Sequence, residues 1–226
     1  RNGYVTFGYF GRTERLNLRV FHAWGRILAA LPEARLVLDF RAFGDPPTRA
    51  YYLDVLARHG VEVKRVVLRH SADVSQALKD VDIMFDSFPH CGGTMSYDAV
   101  CMGVPLLTLA GRPPLGRIGA GIMRNLGLGQ WVAGSEEEYV GKAVAFGRDL
   151  KGLERLHGEM GERVGACAWR DEAGYARDVE RAYREMWRRW CAGEAPGAFD
   201  VAPEDRVQEP RAGLVSGPSR EELVEL

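Results

Sequence analysis

The sequence predicts an α/β domain built on a doubly wound, mostly parallel sheet of about six strands. Two observations carry that expectation. Short apolar runs recur at regular intervals with helix-period segments between them, the alternation of βαβ units. The runs are continuous rather than alternating, as in strands covered on both faces.

Taken in order, strands are expected over 4–7, 35–40, 65–68, 82–85 and 105–109, with a short one over 130–133. The first helix starts from Asn17, a good N-cap, and ends near Leu31 before Pro32. Its Val20, Phe21, Trp24, Ile27, Leu28 and Leu31 share one face. Further helices are expected over 47–59, 72–79, 95–103, 117–126 and 136–148, and His157 falls in a late polar helix. The last strong helix, 173–191, carries an apolar stripe of Val179, Tyr183, Met186 and Trp190, with Arg177, Arg181, Arg184 and Arg188 on the remainder. It reads as a docked C-terminal helix closing a domain of residues 1–192. Beyond it, 193–226 is rich in Pro, Gly, Glu and Arg with Phe199 as its single aromatic, the composition of a disordered or linker tail.

Bulk properties narrow the function. The 226 residues are 46% hydrophobic and 27% charged, ordinary for a globular chain. The net charge of −1 argues against a general nucleic-acid binder. It hides a split: 193–226 holds eight acids against three arginines, a net of −5, which leaves the first 192 residues at +4. A mildly positive folded part suits a diphosphate ligand. Cys91, Cys101, Cys167 and Cys191 form no CxxC or metal-type cluster, so reduced thiols in a cytoplasmic protein are expected. No apolar run is long enough for a bilayer, and no signal-peptide pattern is present. The chain begins at Arg1, almost directly on a strand, and is expected to be a piece of something longer.

Chemistry concentrates in DIMFDSFPHCGGTMSYDAVCMGVP, residues 82–105. It reads as a buried strand, a Gly-Gly turn, the first turn of a helix bearing an acid, and an exit into another strand. Gly92, Gly93, Thr94 and Met95 would offer N–H groups to a phosphate at a helix N-terminus, and Asp98 would reach ribose hydroxyls. The plainer alternative is an ordinary strand-to-helix turn in which Thr94 caps the helix and Asp98 favours its N-terminus. The loop after the first strand holds Arg12 and Arg15, which would stabilise charge on a departing diphosphate or else stand solvated. His70 and His90 each follow an expected strand and border the ligand edge of the sheet, without a partner that would complete a dyad or triad. No metal site, GxSxG or HExxH pattern is seen, and the stretch from Gly119 to Arg124 lacks the third glycine of a dinucleotide fingerprint.

A family resemblance rests on FGYFGRTERLN (7–17), WGRIL (24–28), LPEARLVL (31–38), the 82–105 stretch, LTLAG (107–111), EEY (137–139) and YREMWRRWC (183–191). In that order they resemble the C-terminal, nucleotide-binding half of protein O-linked N-acetylglucosamine transferases and SPINDLY-type relatives, bacterial members with tetratricopeptide repeats above all. The resemblance covers roughly residues 4–195. It implies a GT-B architecture, two Rossmann-like halves facing across a cleft, of which this chain is the second. It also implies a metal-independent, inverting transfer from a nucleotide sugar to Ser or Thr hydroxyls of a protein acceptor, with no cofactor. UDP-N-acetylglucosamine is the first expectation for the donor and GDP-fucose the alternative.

By position, the resemblance places Arg15 where the family has a catalytic lysine on the diphosphate, and Arg12 where it has Gln or Asn. Gly93, Thr94 and Met95 fall on its phosphate turn, and Asp98 on its ribose-holding acid. Two departures stand out. The family histidine position is Val74 here, with His70 four residues earlier, and Arg15 keeps the lysine's charge but not its geometry. The alternative class is therefore a catalytically silent nucleotide-binding or interaction module of the same fold. A GT-B enzyme acting on a sugar or lipid is a third.

Overall fold

The computed structural model describes residues 3–201. Its strands are β1 (Thr6–Tyr9), β2 (Arg35–Asp39), β3 (Val66–Arg69), β4 (Ile83–Phe85), β5 (Leu106–Leu109) and β6 (Val132–Ala133). They form one sheet ordered β3-β2-β1-β4-β5-β6, parallel at every pairing. This is the doubly wound, Rossmann-like order: the chain moves outward from β1 to β3, then crosses back to β4 and moves the other way. Each strand matches an expected apolar run. The first starts two residues late, because the register sets Thr6 opposite Arg35, and the last also starts two residues late, because Gly129–Trp131 is a 3-10 turn.

The helices are α1 (Leu18–Ala30), α2 (Pro46–Arg58), α3 (Val74–Leu78), α4 (Thr94–Cys101), α5 (Ile118–Asn125), α6 (Glu136–Arg148), α7 (Leu150–Ala166) and α8 (Glu172–Cys191). Right-handed crossovers send α1 and α2 to one face and α4 and α5 to the other. Accordingly α1 packs on α2 and α6, while α4 packs on α5 and α7. Polar caps set the starts: Asn17 Oδ1 accepts from the Arg19 and Val20 amides, Asp45 from Thr48, Ser135 from Glu138 and Asp149 from Gly152. Sequence reasoning placed α7 only as a polar helix around His157. Its buried Leu153, Met160 and Val164 do recur at helical spacing, but four glycines between 152 and 165 blur the pattern.

The chain divides into two compact units, one ending at Asp171 and the other starting at Glu172. The first holds the whole sheet. Its centre is aromatic: Phe7 stacks on Phe85 with centroids 4.4 Å apart, and Trp24 of α1 lies on the same ring at 5.6 Å. Arg65 is buried, and its Nε only reaches the Glu62 carboxylate at 3.9 Å. Its guanidinium instead donates to the carbonyls of Leu28, Leu31 and Pro32 at 2.9–3.0 Å, satisfying the C-terminal end of α1.

The second unit contains α8. Of the stripe expected to be buried there, Tyr183, Met186 and Trp190 are exposed and Val179 is half-buried. Residues 194–201 form no helix or strand, although the Arg189 guanidinium lies 4.6 Å from the Phe199 ring centre. The rest of the expected tail, 202–226, lies outside the described residues. Among the described residues no helix is long and apolar enough to cross a membrane.

Candidate functional site

The carboxyl ends of β1 and β4 sit at the point where the winding direction reverses. Loops leave these two neighbouring strands in opposite directions and open a crevice between them. A cavity of about 460 Å³ occupies that crevice.

One wall is the loop after β1. It turns through a single 3-10 turn, Thr13–Arg15, and runs into the Asn17 cap of α1. Arg12 and Arg15 both line the cavity. The Asn17 side-chain Nδ2 donates to the Arg15 carbonyl at 3.2 Å and to the Phe88 carbonyl at 2.7 Å, tying this loop to the one after β4.

The opposite wall is that second loop. Asp86, directly after β4, is 2% exposed. Its Oδ1 accepts from the Gly92 amide at 2.6 Å, which folds the Gly-Gly turn back over the strand end. Its Oδ2 accepts from the Thr108 hydroxyl of β5 at 2.8 Å. Burial raises the Asp86 pKa, and the bonds from Gly92 and Thr108 oppose that rise. A side chain at Gly92 would strike the Ser96 hydroxyl, whereas a Cβ at Gly93 would meet nothing within 4 Å, so the turn presents an open face to the cavity. The first amides of α4, those of Thr94 and Met95, have no intrahelical acceptor, and among the described residues no loop carbonyl takes them. Together with the dipole of α4 they form an anion-favouring corner.

The remaining wall comes from β2 and from the segment after β3: Asp39, Phe40, Arg41, His70, Ser71 and Val74. Asp39 is already committed. It accepts from Arg69 Nε at 2.9 Å and from the Ser71 amide at 3.0 Å. The carboxylates on the lining are thus buried and bonded, while no ion pair among the described residues engages Arg12, Arg15 or Arg41. The cavity is net cationic. Nucleophiles are quiet: burial pushes the Tyr9 hydroxyl and the Cys91 thiol each up to about 12, the thiol further by the Asp86 charge.

The structure therefore gathers Arg12, Arg15, His70, Gly92, Gly93, Thr94 and Met95 on one cavity, with Val74 beside them. His70, although displaced in sequence from the family position, stands on the same wall as Val74. Asp98 is the exception. It is exposed on α4, four residues past Thr94 on the same helix face, one turn beyond the residues that line the cavity. His90 is exposed. Sequence reasoning passed over Asp86, Tyr9 and Arg41. Asp86 had a legible signal, an acid closing an apolar strand six residues before a glycine amide. A second cavity, about 380 Å³, lies between the starts of α1 and α6, but its Arg19 is already paired with Glu136.

Residues 2–178 match the sequence family described as Glycosyl transferase family 41. The chain belongs to glycosyl transferase family 41. It is 33% identical over 220 residues to the Petunia hybrida protein named "Probable UDP-N-acetylglucosamine--peptide N-acetylglucosaminyltransferase SPINDLY", covering 95% of this chain and 23% of that one. It is 28% identical over 205 residues to the corresponding SEC protein of Arabidopsis thaliana, covering 88% and 20%. Among solved structures, a mutant of the Thermobaculum terrenum O-GlcNAc transferase superposes with a TM-score of 0.78 at 34% identity, over 85% of this chain and 38% of that one. A sucrose-phosphate synthase from Thermosynechococcus elongatus, at 14% identity and a TM-score of 0.56, shares the fold. The family 41 chain is thus one Rossmann-like half of a GT-B glycosyltransferase, and it spans about a quarter of the length of the SPINDLY sequences it matches.

Proposed function

We propose that this family 41 chain is the donor-binding half of a protein O-glycosyltransferase that moves N-acetylglucosamine from UDP-N-acetylglucosamine to Ser or Thr hydroxyls. The observation that carries the reading is the cationic cavity at the strand-order switch, lined by three arginines that no ion pair among the described residues engages and by the amide corner of α4. A nucleoside diphosphate carries the complementary charge. The donor sugar is taken from the names of the plant relatives, which specify UDP-N-acetylglucosamine.

In this reading the diphosphate lies against Gly93, Thr94 and Met95, and Arg15 and Arg12 face its far side. As the sugar–phosphate bond breaks, negative charge grows on the leaving nucleoside diphosphate. Arg15 and the α4 dipole already point at that charge, so they bind the transition state more strongly than the ground state. These fixed positive groups would meet the diphosphate charge without a metal ion. Asp98, one turn further along α4, would be reached by the ribose where it emerges at the cavity edge. The protein acceptor, and the base that removes its proton, would come from the part of the relatives that this chain does not span.

Calorimetry with UDP and uridine tests the assignment. Arg15→Ala should cost UDP binding about 1–3 kcal/mol and leave uridine nearly unchanged, since only phosphates feel that charge. Asp98→Ala should weaken both ligands alike. Negligible losses for both variants would turn the cavity into a plain strand-to-helix junction. GDP and guanosine run in parallel distinguish a guanine-nucleotide donor from a uridine one. Binding without turnover in the full-length protein would favour the silent module that Val74, in place of the family histidine, suggests.

A further inference from the structure

The 3-10 turn that carries the two arginines is closed by two backbone bonds, from the Arg15 amide to the Arg12 carbonyl at 3.2 Å and from the Leu16 amide to the Thr13 carbonyl at 3.0 Å. Each of those two carbonyls accepts a second bond from a tyrosine. Tyr9 Oη donates to the Arg12 carbonyl at 2.9 Å, and Tyr52 Oη donates to the Thr13 carbonyl at 3.2 Å. The tyrosines come from different elements, the end of β1 and the middle of α2, so they grip the turn from separate anchors.

Both anchors are fixed by packing. The Tyr9 ring is 3% exposed and rests 5.6 Å from Trp24. The half-buried Tyr52 ring meets Phe43 edge-on at 5.4 Å and Phe21 at 6.1 Å. Gly11 completes the arrangement, because a Cβ there would fall 2.6 Å from Tyr9 Oη and force the hydroxyl off the Arg12 carbonyl. The Tyr9 hydroxyl stays protonated at neutral pH, its pKa pushed up to about 12 by burial, so the donor persists.

We infer that Tyr9 and Tyr52 are positioning residues, a paired hydroxyl clamp that pre-sets the turn so that Arg12 and Arg15 meet a diphosphate without reordering their backbone. This rests on the reading of the cavity as a nucleotide-diphosphate site. The clamp acts through loop ordering that is complete before the ligand arrives, which lowers the entropy lost on binding. Its effect falls on phosphates alone. A nucleoside meets other walls of the cavity and is indifferent to it.

The test uses Tyr9→Phe, Tyr52→Phe and the double variant of this chain, which keep the rings and delete only the hydroxyls. UDP, uridine and inorganic pyrophosphate are titrated into each. Each single change should raise the UDP dissociation constant about fivefold and the double change at least about tenfold, with pyrophosphate following UDP. Uridine should stay within about twofold. Parallel losses for uridine and UDP would reduce the hydroxyls to general fold stability and overturn the clamp, as would a double variant that binds UDP like wild type. If the unaltered chain binds pyrophosphate but no nucleoside diphosphate, the nucleotide reading fails and the clamp is judged on pyrophosphate alone. If it binds neither, both fall. Should the double variant not fold, Tyr52→Phe, on the half-buried ring, carries the same comparison.

Discussion

Asp86 illustrates how one buried side chain can organise a site through its own hydrogen bonds. It holds the Gly92 amide on one oxygen and the Thr108 hydroxyl on the other, and it is buried. Burial raises its pKa above the unfolded value near 3.9. An acid shifted in that direction favours the folded state fully below the unfolded pKa. That advantage is lost as pH rises through the folded one. Asp86→Asn still offers one oxygen to Gly92 and cannot ionise, so the melting temperature of wild type relative to the variant should fall as the pH rises above about 4. A difference that stays flat across that range would mean the carboxylate's bonds fully offset its burial. At this scale the sequence was legible where chemistry is local. Glycines before a helix start announced the turn, and Arg12 and Arg15 were legible because they follow a strand end. Tyr9 and Arg41 were not, since a tyrosine ending an apolar run and an arginine in a loop are commonplace until the fold brings them to one cavity. Asp98 shows the limit of spacing, which gives the helix face but not where the cavity stops.

Among elements, α1 depends on a residue it does not contain. Its last carbonyls are met by Arg65, which precedes β3, rather than by a glycine cap. Arg65→Met removes the buried charge but leaves those carbonyls without donors, and it should lower stability by about 2–4 kcal/mol in urea denaturation. A loss under about 0.5 kcal/mol would show that water reaches them. The strands could be placed, and the boundaries of α1 and α6 read, from the sequence because apolar runs and polar caps are local signals. The role of Arg65 could not, since its partners lie more than 30 residues away. The apolar stripe of α8 was legible as a pattern, but Tyr183, Met186 and Trp190 are exposed, because periodicity reports an amphipathic face and not whether that face is covered.

For the molecule as a whole, the chain supplies one side of a two-sided cleft. We expect no transfer from this chain alone when it is incubated with radiolabelled UDP-N-acetylglucosamine and a Ser/Thr peptide, because nothing on the open side positions an acceptor or excludes water. Label on the peptide would overturn that. The central pairing of the sheet has a further consequence during synthesis. Strands β1, β2 and β3 are contiguous in sequence and can associate as soon as they emerge, yet β1 stays unpaired on its inner side until β4, some 76 residues after it, arrives and Asp82 takes the Thr6 amide. Throughout that interval the nascent chain carries an apolar parallel half-sheet with a naked edge. Truncation before Ile83 would therefore leave that edge without its partner and the cavity without its glycine turn.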